Sequence, residues 1–251
     1  MKQLLMIALL VVASASATPA ERDPGDVVKF SASVRVDVDA AGRPVHVQAP
    51  EYLPVAMRDI VETRVASWQY QPANKDGVPV AATTYVDVDA CAVPIDGGYR
   101  LGVDFAGNGL RPAGARRLAP PTYPMVAFRR GTEAEFVLLL GIAADGHAEI
   151  DDIEEMEISG RAGGNTFEPE LRRWAKTLRF DLEIVAGSPV PGRVRIPVRF
   201  ARDGARDRVV TKEEWQARAK SSRECQLAAG ARDLKPMALQ PAVTVTPTPA
   251  G

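Results

Sequence analysis

The sequence predicts an α+β protein made of two small units, each a short antiparallel sheet (strand–strand–helix–strand) packed on one helix, plus a C-terminal helix. Three observations predict it. Apolar and polar residues alternate in paired runs on either side of a Gly-containing turn, the period of half-buried strands in a hairpin. Each pair is followed by a stretch with apolar residues at helical spacing and a Trp near its end, Trp68 or Trp174. A further alternating run then closes each unit, so one order occurs twice, at residues 29–91 and 120–201.

In the first unit, "ASVRVDV" alternates Val34, Val36 and Val38 with Arg35 and Asp37. "DAAGR" supplies the turn and "PVHVQA" the return strand. Leu53, Met57, Ile60, Val61, Val65 and Trp68 then share one helical stripe, with Arg58, Asp59, Glu62 and Arg64 opposite. Pro54 suits the first turn, while Pro72 and Asn74–Gly77 cannot continue the helix. "VAATTYVDVDA" is the closing strand. Residues 92–119 are rich in Gly, Pro and Arg and read as a linker, with a short strand open at Leu101, Val103 and Phe105.

In the second unit, Phe136, Leu138, Leu140 and Ile142 alternate before a turn at Asp145-Gly146, and "EIDDIEEMEI" returns. Thr166 is placed to cap a helix with Phe167, Leu171, Trp174 and Leu178 on one face. Glu168 and Glu170 near its start and Arg172, Arg173 and Lys176 further along match the helix dipole. "RVRIPVRF" closes the unit, and Pro197 within it points to an edge strand, because proline lacks the ladder donor. Trp68 with Tyr70, and Trp174 with Phe180, are expected to pin each helix to its sheet. Thr211 and Glu214 form a capping box opening the helix expected over 211–230, where Trp215, Ala219 and Leu227 could dock. Residues 236–251 alternate Thr, Val and Pro and read as a disordered or extended tail.

Net charge is −1 over 251 residues, which gives no general attraction to nucleic acid or anionic lipid. Residues 1–17 read as a secretory signal: Lys2, an apolar run from Leu4 to Val12, and Ala15-Ser16-Ala17 before the cut. The expected location is the periplasm, peripheral at most to a membrane. An oxidising compartment favours a disulfide between the two cysteines, Cys91 and Cys225, over two separate thiols.

No catalytic or metal constellation is legible, and no cofactor is expected. His46 and His147 each sit beside a hairpin turn without a positioned partner. G-x-S-x-G, C-x-x-C and H-E-x-x-H are missing from the sequence. "DDIEEMEI" alternates its five carboxylates along a strand rather than closing an oxygen cage, and reads as a solvated acidic face. "GRAGGN" lacks the P-loop Lys. Arg116, Arg117, Arg129 and Arg130 could guide a partner or pair with the acidic run.

"PPTYPMVAFRRGTEAEFVLLLGIAADGHAEI" resembles the opening of the TonB C-terminal domain family, with Tyr123, Pro124, Ala127, Asp145, Gly146, Trp174 and Phe200 fitting its pattern. "DAAGRPVHV" and "VASWQYQPANKDGVPV" are similar to the later part of the same pattern, so the resemblance implies two tandem repeats, the second more complete. It further implies a non-enzymatic, transport-related protein that binds a partner by adding a strand to its sheet. The implied partner is a protein or peptide, an outer-membrane receptor among the options. Fold and binding mode carry over; energy transduction does not, because no retained anchor or Pro/Lys-rich spacer is expected. The residues singled out are Tyr123, Pro124, Arg193, Arg195, Pro197 and Arg199. The alternative is an envelope scaffold that forms homodimers through the same edges.

Overall fold

The computed structural model describes residues 27–95, 98–114, 118–202, 212–229 and 242–248. Its elements are β1 (Val28–Val38), β2 (Pro44–Gln48), α1 (Val55–Ala66), β3 (Gln69–Gln71), β4 (Ala73–Lys75), β5 (Val78–Val80), β6 (Ala82–Ile95), β7 (Gly98–Gly109) and β8 (Arg111–Pro112). There follow α2 (Met125–Arg129), β9 (Glu133–Ile142), β10 (Ala148–Ser159), a 3-10 turn (Gly164–Thr166), α3 (Glu168–Ala175), β11 (Phe180–Asp181), β12 (Ile184–Val185), β13 (Ser188–Pro189), β14 (Gly192–Phe200), α4 (Lys212–Ser221), α5 (Arg223–Ala229) and β15 (Thr244–Thr246). The expected signal segment, Thr211, Arg116 and Arg117 lie outside the described residues. Among those described, no helix is long and apolar enough to cross a membrane.

The α+β expectation is overturned. Among the described residues the protein is mostly β, 49% strand against 21% helix, and its larger sheet curls into a half-barrel rather than forming a mini-sheet on one helix. That sheet runs β13-β12-β6-β1-β2, with β7 also on β6. β1 and β6 pair antiparallel without a break from Val28↔Ala92 to Val38↔Ala82. Even-numbered residues therefore share a face, and Val34, Val36, Val86 and Val88 are fully buried there. α1 covers this face with Val61 and Val65, each also fully buried and worth about 1.5–3 kcal/mol. Ile60, expected on the same stripe, is exposed. Trp68 packs edge-on against Phe105 at 5.7 Å, and the buried Tyr70 hydroxyl donates to the Val65 carbonyl at 2.8 Å. Both aromatics are core residues, as expected.

Residues 98–109, expected mainly as linker, form a 12-residue strand. On the sheet's other face α5 lies over β6 and β7, held by the Cys91–Cys225 disulfide. A Cβ at Gly102 would stand 2.9 Å from the Ala228 nitrogen, so only glycine lets the helix backbone this close. The expected single helix at 211–230 is two, α4 and α5, and the tail, expected to be disordered or extended, contributes the strand β15, which pairs with β3.

The second sheet is β10-β9-β14. Ala134, Phe136, Leu138, Leu140 and Ile142 alternate into a core closed by Phe167, Leu171, Trp174 and Phe200. Thr166 does not cap α3; Phe167 takes the N-cap position with no side-chain cap bond. The two halves are not separate: the β12–β13 hairpin, just ahead of β14, docks on β6 at Ile184↔Thr83.

One joint recurs. Gly42 (φ +79°) and Gly146 (φ +81°) sit in the two hairpin turns, each against the carbonyl that follows a helix, that of Tyr70 or Phe180. The Phe180 nitrogen in turn donates to the Gly146 carbonyl at 3.0 Å. Gly146→Ala is expected to cost at least twice as much as Gly77→Ala in urea unfolding. Gly77 (φ +82°) faces open space and should lose only the left-handed backbone term, about 1–2 kcal/mol, whereas at Gly146 the Phe180 carbonyl must also move. Equal losses would mean that the joint relaxes freely.

Candidate functional site: the outer edge of the second sheet

β14 pairs with β9 in unbroken register from Gly192↔Ile142 to Phe200↔Ala134. Among the described residues no strand pairs with its other side. Val198 and Phe200 turn into the core, while Arg193, Arg195, Pro197 and Arg199 are exposed. The sheet's opposite margin, β10, is different. Its register shifts between Ile150 and Asp152 and again between Glu155 and Glu157, and its exposed side chains are mainly carboxylates. Bulges and charges of one sign blunt an edge against pairing. β14 is the regular margin of the two.

The arginines are not idle. Arg193 Nε meets Asp151 Oδ2 at 3.1 Å, Arg195 meets Glu154 Oε2 at 2.7 Å, and Arg199 Nε meets Glu135 Oε1 at 3.0 Å. Two of these reach over β9 to β10. Gly141 opens the way for the first, since a Cβ there would stand 2.9 Å from Asp151 Oδ1. The acidic run thus has a structural use as the counter-charge of β14. These pairs are solvent-exposed and contribute little stability; they leave the β14 main chain uncovered.

Tyr123 and Pro124 lie elsewhere. Tyr123 is half-buried, its ring 5.4 Å from Phe200 and 5.6 Å from Phe128, and its hydroxyl donates to the Thr132 carbonyl. Burial pushes that hydroxyl pKa up, and the nearby Glu133 carboxylate adds to the shift. Pro124 is buried at the N-cap of α2. Tyr123 thus braces the Phe200 end of β14 rather than lining its outer side. Missed by sequence reasoning are Met125, Val126 and Phe128, large apolar side chains exposed on α2. The Arg202 guanidinium lies 5.8 Å from the Phe128 ring, which sets this patch beside the end of β14. The only sequence signal was three apolar residues in a helix too short to show a period.

His147 Nδ1 lies 3.1 Å from Asp145 Oδ2 in the exposed turn, and no third group completes a relay among the described contacts. Among the described residues no three metal-capable side chains converge.

No protein-family model matches the chain. Two TonB proteins of Xanthomonas campestris pv. campestris, from strains B100 and ATCC 33913, are each 31% identical to it over 87 residues. Over that stretch the chain is similar to TonB. The match covers 35% of this chain and 37% of each relative, so the chain spans little more than a third of the TonB proteins it matches. The solution structure of the Pseudomonas aeruginosa TonB C-terminal domain aligns at 29% identity over 39% of this chain and 90% of that domain. Its TM-score is 0.29, too low to carry an argument about the fold.

Proposed function

We propose that this chain is a TonB-like protein-binding protein of the periplasm that takes an extended partner segment, such as one from an outer-membrane receptor, onto the outer edge of β14. The observation that carries this reading is the margin itself: nine residues in unbroken register on one side and no strand on the other among the described residues. Similarity to TonB over 87 residues gives the reading its partner class. The recurrent Gly–carbonyl joint and the repeated Trp support descent from two tandem TonB-like repeats.

In β-strand addition the main chain supplies affinity and alternate side chains supply specificity. Proline in a sheet keeps its nitrogen out of the ladder, so residue 197 turns its backbone outward, and residues 193, 195 and 199 share that phase. Three outward N–H groups and four carbonyls are then available to a partner. Met125, Val126 and Phe128 offer it an apolar anchor at one end.

Arg195→Pro is expected to keep the fold and lower capture of an outer-membrane receptor from detergent extract at least tenfold. Arg195→Ala removes the ion pair but not the N–H, and should bind nearly as well. Equal loss in both variants would move recognition from the backbone to the charge and sink the strand-addition reading.

A further inference from the structure

A second notch takes a strand in this molecule. β15 lies antiparallel on β3, with Thr244↔Gln71, Val245↔Tyr70 and Thr246↔Gln69. Val243 and Val245 are buried, at 0% and 9% exposure, while Thr244 and Thr246 between and after them face solvent. Groups from three separate parts of the fold hold the segment: the residue ahead of β12, β7, and the end of α1. The Ala242 nitrogen donates to Glu183 Oε2 at 2.9 Å, and Asn108 Nδ2 donates to the Val243 carbonyl at 2.7 Å. Arg64 donates to the Thr248 carbonyl, and the Thr248 hydroxyl donates to the Ser67 carbonyl at 2.9 Å.

Two apolar anchors spaced by two, a three-residue ladder and polar clamps on the peptide backbone are the chemistry of an extended-peptide site. Pro247 follows the ladder and has no N–H with which to extend it. The other half of the molecule fills the matching notch in the same way. β11, which follows Trp174 as β3 follows Trp68, pairs with the distant β8 at Phe180↔Pro112. There Trp174 Nε1 donates to the Ala119 carbonyl at 2.6 Å, and the Ala113 nitrogen donates to the Arg179 carbonyl at 2.8 Å.

We infer that the notch along β3 is a second peptide site, separate from the β14 edge, which accepts an extended segment with β-branched apolar residues two apart. Residues 242–248 occupy it in cis and compete with any such segment presented in trans. A tethered ligand acts at an effective concentration on the order of millimolar, so the unaltered chain masks the site from dilute peptide.

The test uses the full chain and a fluorescent peptide of residues 241–248, PAVTVTPT. The double variant Val243→Asp with Val245→Asp releases the tethered segment. It should bind the peptide at least tenfold more tightly than the unaltered chain, with new hydrogen-exchange protection at Gln69–Gln71. The same peptide with both valines changed to aspartate should not bind. Equal binding by the two chains, or none, overturns the inference. So does loss of the near-UV circular dichroism of the variant, because a displaceable segment leaves the body folded. A dimer of the unaltered chain that the double variant abolishes would make the occupant a second copy and overturn occupancy in cis. Protection at β14 instead of β3 would overturn this site while leaving the proposed edge function standing.

Discussion

Replacing both Cys91 and Cys225 with serine is expected to lower the unfolding free energy by about 4 kcal/mol. The bridge closes a loop across a sequence separation of 134, and chain entropy alone gives about 5 kcal/mol for a loop of that size. A domain's whole stability is about 5–15 kcal/mol, so the change removes a large share. The position explains why the loss should not be recovered locally. Cys91 lies on β6 and Cys225 on α5, in a small cluster with Val27 and Ala219 on the face of the sheet opposite α1. Without the bridge, α5 is held by that cluster and by two ion pairs, Lys29 with Glu224 and Arg223 with Asp104 at 2.7 Å. Denaturant titration of the reduced and double-serine proteins should give matching losses, with α5 amides exchanging first. A loss under 1 kcal/mol would mean that α5 docks by packing alone.

Phe167→Ala is expected to cost about 4 kcal/mol, and Phe167→Leu about 1.5 kcal/mol. Phe167 is 0% exposed and its ring lies 4.8 Å from Phe200, 5.4 Å from Phe136 and 6.2 Å from Tyr123. It joins α3, the Tyr123 segment and two strands, so no single element can move in to fill the void. Phe200 ends β14, so the alanine variant should also raise exchange at the last residues of the candidate edge. A loss near 1 kcal/mol with unchanged exchange would show a core that repacks.

The elements legible in the sequence were those whose period is set by one local face. β1, β9 and β14 bury alternate residues on one side, and the Val61–Val65 and Leu171–Trp174 faces follow helical spacing. β7 was obscured because Gly98, Gly102, Gly107 and Gly109 read as turn signals, yet Gly102 answers to a helix backbone 122 residues later in sequence, at Glu224. The β12–β13 hairpin has two-residue strands joined by Ala186-Gly187, so nothing local tells that it docks on β6. β15 carries only two buried valines, too few for a period. The fold class failed for the same reason: long-range pairing, not local pattern, extends the sheet.

The candidate site divides similarly. Pro197 and clean alternation marked β14 as an edge. Its ion pairs to Asp151 and Glu154 were hidden, because they cross an intervening strand, and for Arg193 the route runs over a glycine. Tyr123 and Pro124 were drawn from a resemblance; Tyr123 packs on Phe200 at the end of the edge, and Pro124 is buried at the start of α2.

Hydrogen exchange of the β14 amides, read residue by residue with and without the captured receptor, tests the central claim most directly. Arg193, Arg195 and Arg199 should exchange fast in the free chain and at least tenfold more slowly with the receptor bound, while Val194, Ile196 and Val198, already bonded to β9, stay unchanged. Receptor-bound protein in which those three arginine amides exchange as fast as before would contradict it.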